Sequence, residues 1–321
     1  MNQSIDHATV PLIDIGGLYS DDIAERKAVA QDLRKACENS GFFYIKNHGI
    51  DAELIRKVLA ETAAFFDQPE PKKLQVSKAL SRCNRGYEPL RAQTLETGAP
   101  PDLKESYYLG IELPDDHPSV IAGKFNHGPN QWPADMPNFR VVTTDYFNAL
   151  YRLGGVMMRG LALSLELPED HFDGFLDGAA ANLRLLHYPP QPAVAQPDEK
   201  GCGAHTDFGA LTFLLQDEAG GLQVQPANTG RWTDAPPIPG TYVVNIGDLI
   251  ERWTNGRYKS TMHRVINRSG RERHSVPFFF TGNYDWVVEC IPACLKDGEE
   301  SKHEPITVEQ HIVNCYKRTY G

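Results

Sequence analysis

Hydrophobic residues recur at two different spacings along the chain. In the first half, apolar residues three and four positions apart predict helices over residues 21–40, 52–66 and 138–167, and two strands are predicted over 10–15 and 41–45. A last helical pattern covers residues 307–320. Between the long central helix and this last one, short apolar runs bounded by turn residues predict strands over 183–188, 211–216, 222–225, 232–234, 242–246, 261–266, 276–280 and 287–291.

Many short strands separated by turn signals are typical of a sandwich or barrel, and these fit two four-stranded sheets packed as a jelly roll. We therefore expect an α+β protein with a mainly β core and flanking N-terminal, central and C-terminal helices. Residues 72–132 show no sustained period and are predicted to form loops. Loops of this length in compact proteins are often functional.

Composition narrows the class of partner. A net charge of -10 argues against nucleic acid or an anionic membrane, because both attract basic surfaces. No apolar stretch reaches the roughly 20 residues of a membrane helix. Six cysteines in 321 residues are too few for a disulfide framework, and the start of the sequence lacks a secretory pattern. We expect a cytoplasmic protein that acts on a small molecule; its oligomeric state is left open.

Candidate chemistry concentrates in residues 203–209. His205 and Asp207 are two residues apart, so in an extended segment they point to the same face. An imidazole and a carboxylate supply two ligands of a 2-His-1-carboxylate iron site, which keeps open positions for reactants. His263 lies in a β-branched run and is the expected third ligand.

A second polar pair follows ten residues later. Arg273 and Ser275 share one face of the predicted strand that contains them. A guanidinium offers a rigid fork of donors and a hydroxyl adds another, which together suit a carboxylate. The sequence therefore predicts a metal centre beside a binding site for an organic acid.

The order of these residues resembles the isopenicillin N synthase-like family of Fe(II)/2-oxoglutarate-dependent oxygenases. The resemblance covers nearly the whole chain, because further segments also match the family: residues 11–14, 41–50, 102–106 and 187–190. It implies a double-stranded β-helix, a jelly roll, holding Fe(II) and using 2-oxoglutarate and O2. It also implies that Arg273 and Ser275 receive the distal carboxylate of 2-oxoglutarate and that Tyr188 helps to position this cosubstrate.

The resemblance further implies oxidation of a small molecule, with hydroxylation as the expected reaction, while 2-oxoglutarate is decarboxylated to succinate and CO2. The chain, 1–321, is then one catalytic unit. Residues 1–135 form a helix-rich region with substrate loops, and residues 136–321 form the supporting helix, the jelly-roll core and the C-terminal helix. Many plant members carry Asn at the position of Leu186, so one polar contact to 2-oxoglutarate is absent here.

Substrate contacts are expected from two sources. Along their predicted strands, Arg184 points to the same face as Tyr188, and Phe279 points to the same face as Arg273 and Ser275. The alternative role for Arg184 is a structural ion pair. The predicted loops add Tyr87, Arg91 and Tyr108 as candidates for the pocket wall.

Two other functions fit the same residues. One is an Fe(II) oxidase that needs no 2-oxoglutarate. Isopenicillin N synthase itself keeps an Arg-x-Ser pair although it uses no oxo acid. The other is a non-catalytic metal-binding jelly roll, although a structural zinc site normally closes its coordination with a fourth protein ligand. Substrate identity, and hydroxylation against desaturation, cyclisation or ethylene formation, stay open.

Overall fold

A computed structural model describes residues 10–191 and 198–320. Fourteen strands are found in these ranges: β1 Leu12–Asp14, β2 Phe42–Lys46, β3 Gly86–Glu88, β4 Glu105–Gly110, β5 Ala180–Tyr188, β6 Cys202–His205, β7 Leu211–Gln216, β8 Leu222–Gln225, β9 Thr233–Asp234, β10 Tyr242–Ile246, β11 Met262–Val265, β12 Arg273–Gly282, β13 Val287–Val288 and β14 Ile306–Thr307.

Helices flank the strands at both ends of the chain and in its middle. The α-helices are α1 Ile23–Asn39, α2 Ala52–Phe66, α3 Glu70–Lys73, α4 Pro118–Ile121, α5 Pro137–Ser164, α6 Asp173–Leu176, α7 Asp248–Trp253 and α8 Val308–Tyr320. The Asp22 carboxylate caps α1 by accepting from the Ala24 amide, and Asp51 caps α2 in the same way. No described helix is long and apolar enough to span a membrane.

The largest sheet has eight strands in the order β1-β2-β10-β7-β12-β5-β4-β3. Alternate residues of its strands face opposite sides, as the two-residue period of a strand requires. One side packs on α1, α2 and α5 and carries the larger apolar core, including Phe43, Leu185, Phe213, Val244 and Phe278. The helices therefore cover one face of this sheet only.

The other face of the large sheet meets a second sheet with the order β6-β11-β8-β9. A smaller core joins the two, with Phe42, Tyr188 and Val243 from the large sheet and Val224 and Val265 from the small one. Two sheets facing each other over a shared core form the expected jelly roll. The candidate residues described next lie between these sheets.

The division into two four-stranded sheets was wrong, because strands from the N-terminal region extend the large sheet at both ends. β2 pairs with β10, and β4 pairs with β5. β3 and β4 lie within residues 72–132, where only loops were predicted. Their side chains are buried on both faces, so the usual alternation of polar and apolar residues is absent. The first nine residues of the predicted N-terminal region lie outside the described part.

Candidate active site

Three side chains with metal-binding atoms meet between the two sheets. His205 ends β6, and His263 lies directly opposite it in β11. Asp207 lies two residues after His205, and its Oδ1 is 3.8 Å from Nε2 of each histidine. The three potential ligand atoms all lie within 4.8 Å of one another. An ion about 2.0–2.2 Å from each ligand reaches atoms at this spacing.

Hydrogen bonds to the backbone orient the two histidine rings. Nδ1 of His205 donates to the Gly203 carbonyl at 2.8 Å, and Nδ1 of His263 donates to the Thr261 carbonyl at 3.1 Å. With the proton on Nδ1, the lone pair of Nε2 is left for a metal ion. The two rings therefore present the same atom to the space in front of Asp207.

The Asp207 carboxylate is fixed through one of its two oxygens. Oδ2 accepts hydrogen bonds from Thr212 Oγ1 at 2.6 Å and from Asn245 Nδ2 at 2.8 Å. Oδ1 is the oxygen that faces the two histidines. Such outer hydrogen bonds hold metal ligands in place and tune their basicity.

Asp207 lies two residues beyond the end of β6, in the turn between β6 and β7. The turn packs against the start of α7, where the Asp248 amide donates to the Asp207 carbonyl at 2.8 Å. A Cβ at Gly247 would lie 2.1 Å from the Gly209 carbonyl oxygen, so only glycine allows this approach. Backbone packing therefore sets the position of the carboxylate.

Burial keeps the two imidazoles neutral, whereas the neighbours of Asp207 keep its carboxylate charged. Burial and the neighbouring His205 lower the pKa of His263 to about 4, and burial likewise lowers the pKa of His205. Burial raises the pKa of Asp207, but the two imidazoles and the hydrogen bonds to Oδ2 outweigh it, so this pKa is also lowered. Two neutral nitrogen donors and one anionic oxygen are the donor set of a non-haem Fe(II) site with open positions.

Arg273 and Ser275 line the same cavity as this triad. Arg273 is fully buried at 0% exposure. Its Nη1 donates to Ser275 Oγ at 3.1 Å, its Nη2 donates to Gln216 at 3.1 Å, and its guanidinium lies 4.6 Å from the centre of the Tyr188 ring. A buried guanidinium with no carboxylate partner among the described residues suits the carboxylate of a bound acid.

A second cavity adjoins the first, and His205 and Asp207 line both. Arg184 and Phe279, selected by their strand parity, also line both cavities. The Arg184 guanidinium lies 4.4 Å from the centre of the Tyr108 ring and 5.2 Å from that of Phe279. Tyr108 itself stands behind Arg184 and donates to Glu88 Oε2 at 2.6 Å. Tyr108 lines neither cavity, contrary to the prediction, and contacts the wall through Arg184.

Two of the predicted substrate residues lie elsewhere. The Tyr87 ring packs against Phe65 in the core on the helical side of the large sheet, and its hydroxyl donates to Glu105 at 2.6 Å. Arg91 pairs with the buried Glu199, with Nη2 to Oε1 at 2.7 Å. Neither residue lines the two cavities, so these two predictions were wrong.

Sequence reasoning missed several residues of the cavity walls. Ile312 and Tyr316 of α8 line the second cavity, and their helical spacing gave only the signal of a surface helix. Lys104 lines the cavity that contains Arg273. The available signal was strand parity: in an extended segment, Lys104 points to the face opposite to Glu105 and Tyr107.

A second group of potential ligands consists of Asp248, His311 and Cys315. Arg318 Nη2 lies 3.1 Å from Cys315 Sγ, which puts a fixed cation beside the group. His311 Nε2 donates to the Phe208 carbonyl at 3.2 Å. These contacts describe a hydrogen-bonded joint between α8 and the turn that contains Asp207, and they disfavour a second metal ion.

Comparison with known families matches two parts of the chain. Residues 10–135 match the family model described as the N-terminal part of a non-haem dioxygenase in morphine synthesis. Residues 179–282 match the model of the 2OG-Fe(II) oxygenase superfamily, and this part contains the triad, Arg273 and Ser275.

Relatives cover nearly the full length. The 2-oxoglutarate-Fe(II) type oxidoreductase hxnY of Emericella nidulans is 48% identical over 97% of this chain and 90% of its own. The Neurospora crassa protein T7H, solved with α-ketoglutarate and thymine, has a TM-score of 0.85 and 32% identity over 99% of this chain and 98% of its own. The structure of JOX2 with 2OG, Fe and JA has a TM-score of 0.78 and 30% identity over 96% of this chain and 85% of its own.

Proposed function

The chain belongs to the 2-oxoglutarate-Fe(II) oxygenase superfamily, in its isopenicillin N synthase-like group, and on this premise we propose that it hydroxylates a small planar acid. Its activity is that of a 2-oxoglutarate-dependent Fe(II) dioxygenase, and Fe(II), 2-oxoglutarate and O2 are its cofactors. The reaction on the substrate, the class of substrate and the role of each residue are the proposed parts.

In this proposal His205, Asp207 and His263 would hold the iron, and the atoms that face one another for this purpose are the two Nε2 atoms and Oδ1. Arg273 and Ser275 bind the distal carboxylate of 2-oxoglutarate, and Tyr188 keeps the guanidinium in place through its ring. When bound, iron and 2-oxoglutarate supply the oxidation, with decarboxylation of 2-oxoglutarate to succinate and CO2. The chain's own residues orient both groups and shield them from water.

One observation carries the proposal: the triad and the Arg273-Ser275 pair line one cavity. A metal site alone would also fit a binding protein, and a buried arginine alone would also fit a structural role. Together they provide for both ends of a 2-oxo acid chelated to iron.

Charge supports an acidic substrate. Lys78 Nζ and Tyr108 Oη both donate to the Glu88 carboxylate, at 2.7 and 2.6 Å, and the Arg184 guanidinium lies against the other side of this cluster. Arg184 thus presents a guanidinium to the cavity wall. A carboxylate or acidic ring of the substrate would neutralise it.

Shape supports a planar substrate. Phe208, Phe279 and Tyr316 line the cavity beside the polar side chains of Gln93 and Asn182. Aromatic walls with a few polar groups favour a flat molecule oriented by hydrogen bonds. Thymine, the ligand of the similar Neurospora crassa T7H structure, is of this kind.

The proposal includes the organisation and location expected from the sequence. Strands from residues 1–135 pair directly with those from 136–321, which supports one catalytic unit. All six cysteines are free thiols, and this supports a reducing, cytoplasmic location.

The test begins with anaerobic titration of the Fe(II)-loaded protein with 2-oxoglutarate. A weak visible charge-transfer band should appear with wild-type protein and be absent from Asp207→Ala. Arg273→Ala should need about 10- to 100-fold more 2-oxoglutarate, because a charge-assisted contact contributes about 1.5–3 kcal/mol. An unchanged titration in Asp207→Ala would refute the ligand assignment.

The substrate class is tested by screening aromatic and heterocyclic acids beside their neutral amides. Acids should increase succinate formation and yield a product heavier by one oxygen atom, and Arg184→Met should remove this preference for acids. An equal response to acids and amides in the wild type would refute the role of Arg184.

A further inference from the structure

We propose that Lys104 is a second cationic contact for the distal carboxylate of 2-oxoglutarate, acting beside Arg273. The inference rests on the proposed cosubstrate site. It concerns a residue immediately before β4, a strand of the N-terminal region, whereas Arg273 and Ser275 lie in β12.

The sheet places Lys104 at the level of Arg273. Glu105 pairs with His187 and Arg273 pairs with Tyr188. Lys104 is one residue beyond Glu105, so it stands beside Tyr188 on the opposite side from Arg273. Both cations and Tyr188 line the cavity that contains the triad.

Lys104 is held rigidly in a position where an ammonium is costly. Its side chain is 2% exposed and pairs with Asp102 Oδ2. Asp102 is itself fixed, because Oδ1 accepts from the Gly203 amide at 2.8 Å. A buried ion pair seldom stabilises a fold more than apolar residues of the same size would. Its position in the cavity wall therefore favours a role in binding.

The ammonium group retains a donor for a ligand. Lys104 Nζ contacts Asp102 and, at 3.4 Å, Cys202 Sγ. An ammonium has three N–H groups, so within residues 10–191 and 198–320 these contacts use two of them. A carboxylate bound at Arg273 and Ser275 has two oxygens and accepts several hydrogen bonds. The third N–H has a fitting acceptor there.

The same sheet offers a matched control. Lys73 of α3 forms another buried lysine pair, with Nζ 2.7 Å from Oε2 of Glu105, the first residue of β4. The Lys73 ammonium also lies 5.9 Å from the Phe66 ring centre, on the helical side of the sheet. Lys73→Met removes a buried ammonium as Lys104→Met does, but outside the cavity.

The experiment is anaerobic titration of Fe(II)-loaded protein with 2-oxoglutarate, followed by the visible band. Lys104→Met should raise the Kd about 10- to 100-fold, Lys104→Arg should restore part of the affinity, and Lys73→Met should leave it unchanged. If Lys104→Met does not fold, the double variant Asp102→Asn/Lys104→Met removes the pair without a lone buried charge.

A second ligand separates the two ends of the cosubstrate. 2-Oxobutanoate keeps the keto-acid end and lacks the distal carboxylate, so its Kd should be the same in wild type and Lys104→Met. An equal loss for both ligands, or an unchanged Kd for 2-oxoglutarate, would overturn the role of Lys104. A wild type without the band would overturn the proposed site itself.

Discussion

Asp207 divides its two oxygens between the protein and the candidate metal. Oδ2 receives the Thr212 hydroxyl and the Asn245 amide, while Oδ1 faces His205 and His263. If either outer donor is lost, the carboxylate gains freedom to rotate and Oδ1 leaves its position for part of the time. The affinity for iron then depends on residues that do not touch the metal.

Thr212→Val tests this dependence, since it keeps the size of the side chain and removes the hydroxyl. We expect the affinity for Fe(II) to fall about 10- to 100-fold, measured by anaerobic competition with a chelator. Thr143→Val is the control, because the Thr143 hydroxyl donates at 2.7 Å to the Phe139 carbonyl of its own helix. Equal affinities in wild type and Thr212→Val would contradict the expected role.

For individual residues, the sequence predicts which functional side chains lie together only when they are near one another along the chain. The interval between His205 and Asp207 and that between Arg273 and Ser275 are short, so spacing alone suggested each pair; their roles as ligands stay predictions. Lys104 reaches the cavity only because β4 pairs with β5. Tyr87 was misplaced because an aromatic residue in an apparent loop has the same sequence signature whether it faces the cavity or the core.

At the scale of elements, α8 forms part of the wall of the second cavity, which is the proposed substrate cavity. Ile312 and Tyr316 face the cavity, and the Tyr316 ring packs on Phe208 with ring centres 6.1 Å apart. His311 donates to the Phe208 carbonyl, which joins the helix to the turn that holds Asp207. The helix thus lines the proposed substrate cavity and not the cavity that contains Arg273.

Tyr316→Ala should therefore separate the two ligands. Loss of the aromatic wall costs about 1–2 kcal/mol, so the KM for the substrate should rise about 5- to 30-fold. The Kd for 2-oxoglutarate, from the visible band without substrate, should not change. A parallel rise in both constants would mean that α8 acts on the whole site and not on the substrate side.

The elements differ in how far local sequence determines them. α2 occupies the predicted range 52–66 because its cap and apolar spacing are local. β4 was missed because Glu105 and Ser106 are buried by partners distant in the chain: the Glu105 carboxylate accepts from Lys73, Tyr87 and His187. A polar residue that is buried because distant side chains hydrogen-bond to it looks like a surface residue in the sequence, so the strand was not recognised as buried. The jelly roll itself was predicted because turn residues mark its core strands, and it is confirmed.

At the scale of the whole molecule, a cluster on the helical face of the large sheet links stability to pH. His187 Nδ1 lies 2.7 Å from Glu105 Oε1, its Nε2 lies 2.6 Å from Glu272 Oε2, and its ring stacks on His274. Burial lowers the pKa of His187, but the two carboxylates outweigh it and the net pKa is raised. The charged imidazolium therefore stabilises the fold.

The sign of the effect follows from the raised pKa. The contribution of His187 is fully present below its unfolded pKa of about 6.5 and is lost as the pH rises through the folded value. The free energy of unfolding of the wild type should thus exceed that of His187→Gln by more at pH 5.5 than at pH 8.5, in urea titrations. Glu272→Gln should reduce this difference, and parallel pH profiles of wild type and His187→Gln would contradict the role of the pair.

The candidate site joins the two sheets, so its ligands should stabilise the whole fold. His205 and His263 belong to the small sheet, and Arg273 and Ser275 belong to the large one. 2-Oxoglutarate chelated to Fe(II) would span both sheets. A ligand that binds only the folded state, at a concentration 100 times its Kd, adds about 2.7 kcal/mol to the free energy of unfolding.

The Tm should therefore rise by about 5 °C in anaerobic calorimetry with both ligands. 2-Oxoglutarate without metal should give a smaller rise, because it then contacts one sheet only, and Asp207→Ala should lose the difference between the two conditions. Equal Tm values of the wild type with and without the ligands would show that the ligands do not bind the folded state at these concentrations.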